Sequence, residues 1–153
     1  MSNIFNPDFR DFIRALDKCD VDYILVGGYA VILHGYARTT GDMDIWVRRT
    51  SENYHKVVKA FKEFSMPVFD MSEENFLNNP AIDVFTFGVP PVCIDLMTSL
   101  KGLEFESAFQ NSTLIQLEDI SVRVIHIDDL ILAKMKSNRA KDQDDIAHLG
   151  FAT

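Results

Sequence analysis

The sequence predicts an α/β (α+β) fold, a β-sheet flanked by helices, on three observations. Apolar residues recur at helical spacing near both ends of the chain. Period-two apolar segments fill the middle, and one strand runs through two glycines straight into a helix. At 153 residues, 47% of them hydrophobic and 25% charged, the chain has apolar surface enough for one core and is expected to form a single domain over residues 1–153.

The elements follow in order. Asn6 caps and Pro7 starts a helix whose Phe9, Phe12, Ile13 and Leu16 fall at i, i+3, i+4 and i+7, one buried stripe. Asp22 to Val26 reads as a short strand ending at Gly27-Gly28, after which Tyr29 to Leu33 is a helix stopped near Gly35. Asp42 to Val47 alternates, with Met43, Ile45 and Val47 on one face and Asp42, Asp44 and Trp46 on the other. Ser51 caps a third helix with Tyr54, Val57, Val58 and Phe61 inward, and MSEENFLNNP (71–80) reads as an exposed loop. Strands fit Ile82 to Phe87 and Val92 to Met97, separated by Pro90-Pro91. The second puts Val92, Ile94 and Leu96 on its apolar face and Cys93, Asp95 and Met97 on the other. Weaker strands follow at Thr113 to Leu117 and Val122 to Ile125. Asp128 or Asp129 then opens a helix with Leu130, Ile131 and Met135 inward, and a last helix carries Ile146 and Leu149.

Composition narrows the function classes. Fifteen basic against 23 acidic residues give a net charge of −8, a field that opposes broad binding to a phosphate backbone but admits a small anion accompanied by a metal ion. Arg48, Arg49, Lys56, Lys59 and Lys62 form a local basic run that could contact a nucleic acid, although such a run is usually the outer face of a helix. Cys19 and Cys93 make no disulfide framework and have no zinc-ligand spacing. Charges in the first residues and the lack of a long apolar run point to a reduced, cytoplasmic setting with no membrane partner.

Two carboxylates two residues apart on one strand face suit a hard divalent cation, because Mg²⁺ takes one or two carboxylates and completes its octahedron with water and substrate phosphates. Asp42 and Asp44 have that spacing. Asp95 joins them if its strand lies alongside with the same facing; their repulsion is then relieved by bound cations or by protons. Two solvated acids give the same pattern. Asp and Gly are poor strand formers, however, so opening a strand with Gly-Asp-Met-Asp breaks a local rule where a functional site would. Glycines between a strand and a helix expose backbone N–H groups that hold phosphate oxygens, or simply make a tight turn.

Val26-Gly-Gly-Tyr-Ala-Val-Ile-Leu-His-Gly35, followed by Arg38-Thr-Thr-Gly-Asp42-Met-Asp-Ile-Trp-Val47, resembles the signature of the nucleotidyltransferase superfamily. It is similar to the small bacterial minimal, AbiEii-toxin-like and uncharacterised kinds. Cys93-Ile-Asp95-Leu supplies a third acid in the family order. Lys134 with Arg139-Ala-Lys141-Asp142-Gln-Asp-Asp145 resembles the C-terminal segment of the AbiEii-like branch. The resemblance spans roughly residues 21–149 and implies a nucleotidyltransferase-like mixed β-sheet flanked by helices. It implies that Asp42, Asp44 and Asp95 are catalytic and bind Mg²⁺ or Mn²⁺, with Asp95 as general base or third metal ligand. It also implies that Gly27, Gly28, Lys134, Lys141 and Asp142 bind the nucleotide. The activity implied is Mg-dependent transfer of a nucleoside monophosphate from a nucleoside triphosphate such as ATP to a hydroxyl of an acceptor: a small molecule, a protein or an RNA end.

Helical spacing adds to this, since Lys134 and Asp142 both fall on inward stripes where a charge needs a partner; an interhelix ion pair and a phosphate-side role both fit. Arg139, Lys141, Asp144 and Asp145 read as a solvated face, and His34 and His126 as structural residues. Trp46 shares the acid face and suits either base stacking or core-edge packing. The alternative function is a non-catalytic nucleotide-sensing or toxin–antitoxin-type module on the same fold. A chain this short, without a helical acceptor domain, would suit a homodimer or a partner protein completing the site.

Overall fold

Asn6 opens the first helix as its sequence position predicts: its side chain accepts a hydrogen bond of 2.9 Å from the Phe9 N–H, and Pro7 needs no such partner. The computed structural model describes residues 5–89 and 92–152. Helix α1 (Pro7–Lys18) buries Phe9, Phe12, Ile13 and Leu16 completely. Strand β1 (Tyr23–Val26) leads directly into α2 (Gly27–Leu33), so the glycine pair is the first turn of the helix. Strand β2 (Met43–Val47) starts one residue later than the alternation suggests and leaves Asp42 just outside it. Helix α3 (Ser51–Glu63) is capped by Thr50 instead of Ser51: the Thr50 hydroxyl accepts from the Asn53 N–H.

Two helices depart from the sequence reading. Residues 71–80, expected as an exposed loop, contain α4 (Glu73–Asn78), capped by Ser72 and anchored by a fully buried Phe76 against Tyr54. Helix α5 (Phe105–Asn111), also unexpected, sets Phe105 edge-on against Trp46, with the Arg48 guanidinium over the Phe105 and Phe109 rings. A six-residue and a seven-residue helix each carry too few turns for a periodic stripe, and tertiary packing holds them. The remaining elements are β3 (Val84–Val89), β4 (Val92–Met97), β5 (Thr113–Leu117), β6 (Ile120–Val124), α6 (Ile127–Ser137) and α7 (Ala140–Ala152). Pro90-Pro91, expected between β3 and β4, lies outside the described residues. His126 opens α6, its ring nitrogen accepting from the Asp128 N–H, which places the start before the expected aspartates. Met135 is 56% exposed, against the inward position expected, because α6 turns that side to solvent while Leu130 and Lys134 face in.

The six strands form one mixed sheet in the order β3-β4-β2-β1-β6-β5. Strands β2 and β4 are parallel, as are β1 and β6, and the remaining neighbours are antiparallel. The aromatic core joins α1, α3 and the sheet: Phe12 packs edge-on against Phe61, and Phe61 against Phe87. Among the described residues no helix is long and apolar enough to cross a membrane.

Candidate active site

The acid face of the sheet is built by register. In the parallel β2–β4 pair Asp44 stands opposite Asp95; in the antiparallel β3–β4 pair Thr86 stands opposite Asp95. On the other side Val26 is registered with Asp44 and leads into the glycine turn. One surface therefore carries, in order, the glycine turn, Asp44, Asp95 and Thr86, one from each neighbouring strand. Backbone alternation puts Met43, Ile45, Ile94 and Leu96 in the core and turns the carboxylates the other way.

Asp44 is largely buried and its carboxyl is pushed up to about 7. Burial is the main cause, and the charges of Asp95 and Asp42 and a hydrogen bond with Asp95 add to it, with the Lys134 ammonium opposing. Asp95 also accepts a hydrogen bond of 2.8 Å from the Thr86 hydroxyl. Asp42 is exposed at the rim and acts through its charge. Among the described residues no three His, Cys, Asp or Glu side chains are gathered as a ready-made metal cage. The expected three-acid cluster is thus a touching pair with a third acid beside it.

Gly27 has φ +69°, and a Cβ there would overlap the Asp44 carboxylate; a Cβ on Gly28 would run into the Thr40 hydroxyl. Glycine is required here by close approach. Among the described residues no side chain caps α2, whose first two residues, Gly27 and Gly28, line the cleft.

A polar cleft of about 300 Å³ gathers these groups. Its walls include Gly27, Gly28, Asp42, Asp44, Asp95, Lys134 and Lys141 from the sequence reading, together with Arg38, Thr40, Met97 and Arg139. Arg38 and Thr40 lie in the Arg-x-Thr-x-Asp-x-Asp segment, which was their only sequence signal. Asp142, expected to bind the nucleotide, is fully buried in a small adjoining recess. There it accepts from Arg139 Nε at 2.8 Å and from the Arg139 N–H at 3.0 Å, and pairs with Lys134 at 3.3 Å. Burial works against its ionisation, but these hydrogen bonds outweigh it and hold its carboxyl well below the usual range.

Asp145, read as solvated, is 1% exposed and joins Lys134 Nζ at 3.0 Å and Arg38 Nε at 2.8 Å. A chain of alternating charges, Arg38–Asp145–Lys134–Asp142–Arg139, therefore ties the loop before β2 to α6 and α7. Lys141 remains exposed at the cleft rim.

The other candidates are structural. His34 bonds the Ile125 carbonyl at 2.7 Å. Trp46 is 1% exposed against Phe105 and offers no stacking surface. Cys93 is buried beside the acids, which together with burial push its thiol up, away from a nucleophilic thiolate. Within the basic run at α3, Arg48 pairs with Asp22 and Glu106, Lys56 with Asp20 and Glu52, and Arg49 donates to the Phe76 carbonyl. The larger groove of about 740 Å³ lies on the opposite sheet face by Phe87 and Ile94, is lined by Asp8, Asp11 and Glu63, and does not include Asp44 or Asp95.

A family described as "Nucleotidyltransferase of unknown function (DUF6036)" matches residues 8–152. Among solved structures, the Thermotoga maritima protein TM1012 superposes with a TM-score of 0.61 at 16% identity over 92% of this chain and 88% of that one. The lincosamide antibiotic adenylyltransferase LnuA, bound to lincomycin, gives 0.60 at 16% identity over 99% of both chains. An antigenic nucleotidyltransferase-like protein of Paracoccidioides brasiliensis gives 0.52 at 14% identity, covering 93% of this chain and 74% of that one. At these identities the likeness is one of fold. No curated protein sequence matches the chain.

Proposed function

Because the chain belongs to this family of nucleotidyltransferases of unknown function, we propose that it transfers a nucleoside monophosphate from a nucleoside triphosphate to an acceptor hydroxyl, with a divalent metal such as Mg²⁺. The observation that carries this reading is the registration of Asp44 with Asp95 beside the glycine turn. It supports an in-line displacement, which needs phosphate-holding groups at one end and a base at the other.

The donor set suits a hard cation. Asp44 and Asp95 are all-oxygen ligands in contact, and two touching carboxylates stay ionised together only when positive charge is added. Asp42, Asp44 and Asp95 would hold the ion, which when bound neutralises charge developing on the phosphoryl oxygens. The first-turn N–H groups at Gly27 and Gly28 receive phosphate oxygens, and Lys134, Arg139 and Lys141 supply cations from the facing wall. Asp142 positions Arg139 and Lys134 from behind that wall. Asp95, oriented by Thr86, takes the proton of the attacking hydroxyl.

The test is calorimetry with Mg²⁺ and each nucleoside triphosphate, followed by assay of released pyrophosphate with a cell extract of small molecules, protein and RNA added as the source of acceptor hydroxyls. The wild type is expected to bind one or more triphosphates and release pyrophosphate. Asp44→Asn is expected to lose release by about 10³-fold or more while keeping its circular dichroism. Wild-type turnover in that variant, or tight binding with no release in the wild type, overturns the transferase reading.

A further inference from the structure

We propose that the chain nucleotidylates itself, with the Thr86 hydroxyl as an acceptor that takes a nucleoside monophosphate on its Oγ1. This rests on the transfer reading above and names an acceptor for that same site.

The reaction needs a hydroxyl within hydrogen-bond reach of the carboxylate that takes its proton, and Thr86 meets that need. Its Oγ1 donates to Asp95 Oδ1 at 2.8 Å, inside the range of a general base. Strand register keeps it there, because Thr86 stands opposite Asp95 in the antiparallel β3–β4 pair. A hydroxyl fixed by the fold beside its base bears no cost of association, which is the advantage of an intramolecular reaction.

Order across the acid face puts Thr86 on the attacking side. The glycine turn lies at the β1 end, Asp44 and Asp95 follow, and Thr86 stands beyond. An in-line displacement sets the leaving and attacking oxygens on opposite sides of phosphorus. With pyrophosphate held at the glycine turn, the attacking hydroxyl lies toward β3, where Thr86 is. Two other hydroxyls near the cleft are placed differently. Thr40 sits over Gly28 at the phosphate-holding end, and Ser137 hydrogen-bonds Asp142 in the adjoining recess.

Thr86 is also accessible. Strand β3 is an edge of the sheet, and Thr86 is exposed between Phe85 and Phe87, which are 3% and 2% exposed in the core. Its neighbours along β3 on the same face, Val84 and Gly88, are exposed and carry no group that competes for Asp95. The edge position leaves room for the added group.

The reaction balances without another reactant. Thr86 Oγ1 bonds to the α-phosphorus, the bond from that phosphorus to the bridging oxygen breaks, pyrophosphate leaves with the electron pair, and the hydroxyl proton passes to Asp95. The product is a phosphodiester joining the nucleoside to the Thr86 side chain.

The test incubates the purified protein alone with Mg²⁺ and α-labelled nucleoside triphosphates, then denatures it and maps the label by peptide mass spectrometry. Covalent label is expected on Thr86, at a rate per molecule that does not change with protein concentration. Thr86→Ser is expected to carry label at the same position and Thr86→Val to carry none. Label on another residue, label undiminished in Thr86→Val, no label in Thr86→Ser, or a rate that rises with concentration overturns the inference. So does an unlabelled wild type that still binds triphosphate and releases pyrophosphate with cell extract, a result that leaves the transfer reading standing. Failure to bind triphosphate, or to release pyrophosphate with any acceptor, overturns both. A second readout needs no turnover. On adding Mg²⁺ and a non-hydrolysable triphosphate, the Thr86 methyl resonance is expected to move while that of Thr113, on the far edge strand β5, stays. A Thr86 resonance that stays put with triphosphate bound overturns the placement of the acceptor.

Discussion

At Asp44 a carboxylate is held between a glycine backbone and a second carboxylate. Its pKa of about 7 in the fold lies above the 3.8 of an ordinary Asp. The folded protein thus holds this proton more tightly than the unfolded chain, and the ionised form weakens folding as pH rises from about 4 through 7. Asp44→Asn is expected to be more stable than wild type by about 2 kcal/mol at pH 8 in the absence of metal, discounting a three-unit shift for residual solvent. Urea unfolding should show the advantage shrinking toward pH 4.5; an advantage independent of pH would refute the assignment. The shared facing of Asp44 and Asp95 was legible because strand alternation converts sequence position into facing, whereas Asp42 lies just outside its strand. Asp145 was not legible, although it stands four residues before Leu149 and three after Asp142 on the same inward stripe. A charge there is read as solvated until Arg38 and Lys134, from other elements, are seen to meet it.

The C-terminal hairpin of α6 and α7 shares one ammonium between two carboxylates, with Arg139 and Arg38 at the outer ends of the chain of charges. Lys134 is 6% exposed and is shared by Asp142 and Asp145, themselves 0% and 1% exposed. Lys134→Ala leaves two buried carboxylates facing each other and is expected to destabilise the protein by about 3–5 kcal/mol, read from denaturant midpoints at neutral pH. A loss below about 1 kcal/mol would mean that water reaches the pair and the chain of charges does not hold the hairpin. Legibility at this scale followed length and caps. Asn6-Pro7 and a four-residue apolar stripe made α1 readable, and alternation gave the strands to within two or three residues. Helices α4 and α5 are short, and what holds them, Phe76 on Tyr54 and Phe105 on Trp46, joins segments far apart in sequence.

Across the whole molecule, strand order was the part the sequence could not supply, since it rests on which edges pair. The parallel β2–β4 and β1–β6 pairings bring residues 44 and 95, and 25 and 124, side by side. The cleft thus draws on most of the fold, and a ligand spanning it should stabilise the whole. With Mg²⁺ and a non-hydrolysable triphosphate at about 100 times Kd, stability should rise by about 2.7 kcal/mol in a cooperative melt; an unchanged midpoint despite calorimetric binding would place the ligand elsewhere. The tie from Arg38 through Asp145 to Lys134 has a consequence for synthesis on the ribosome. The glycine turn and both touching acids emerge first, and the groups that face them, Lys134, Arg139 and Lys141, come last. A nascent chain stalled before α6 carries the acidic sheet surface without Lys134, Arg139 and Lys141 opposite it. On the proposed function, nucleotide capture would wait until that hairpin closes.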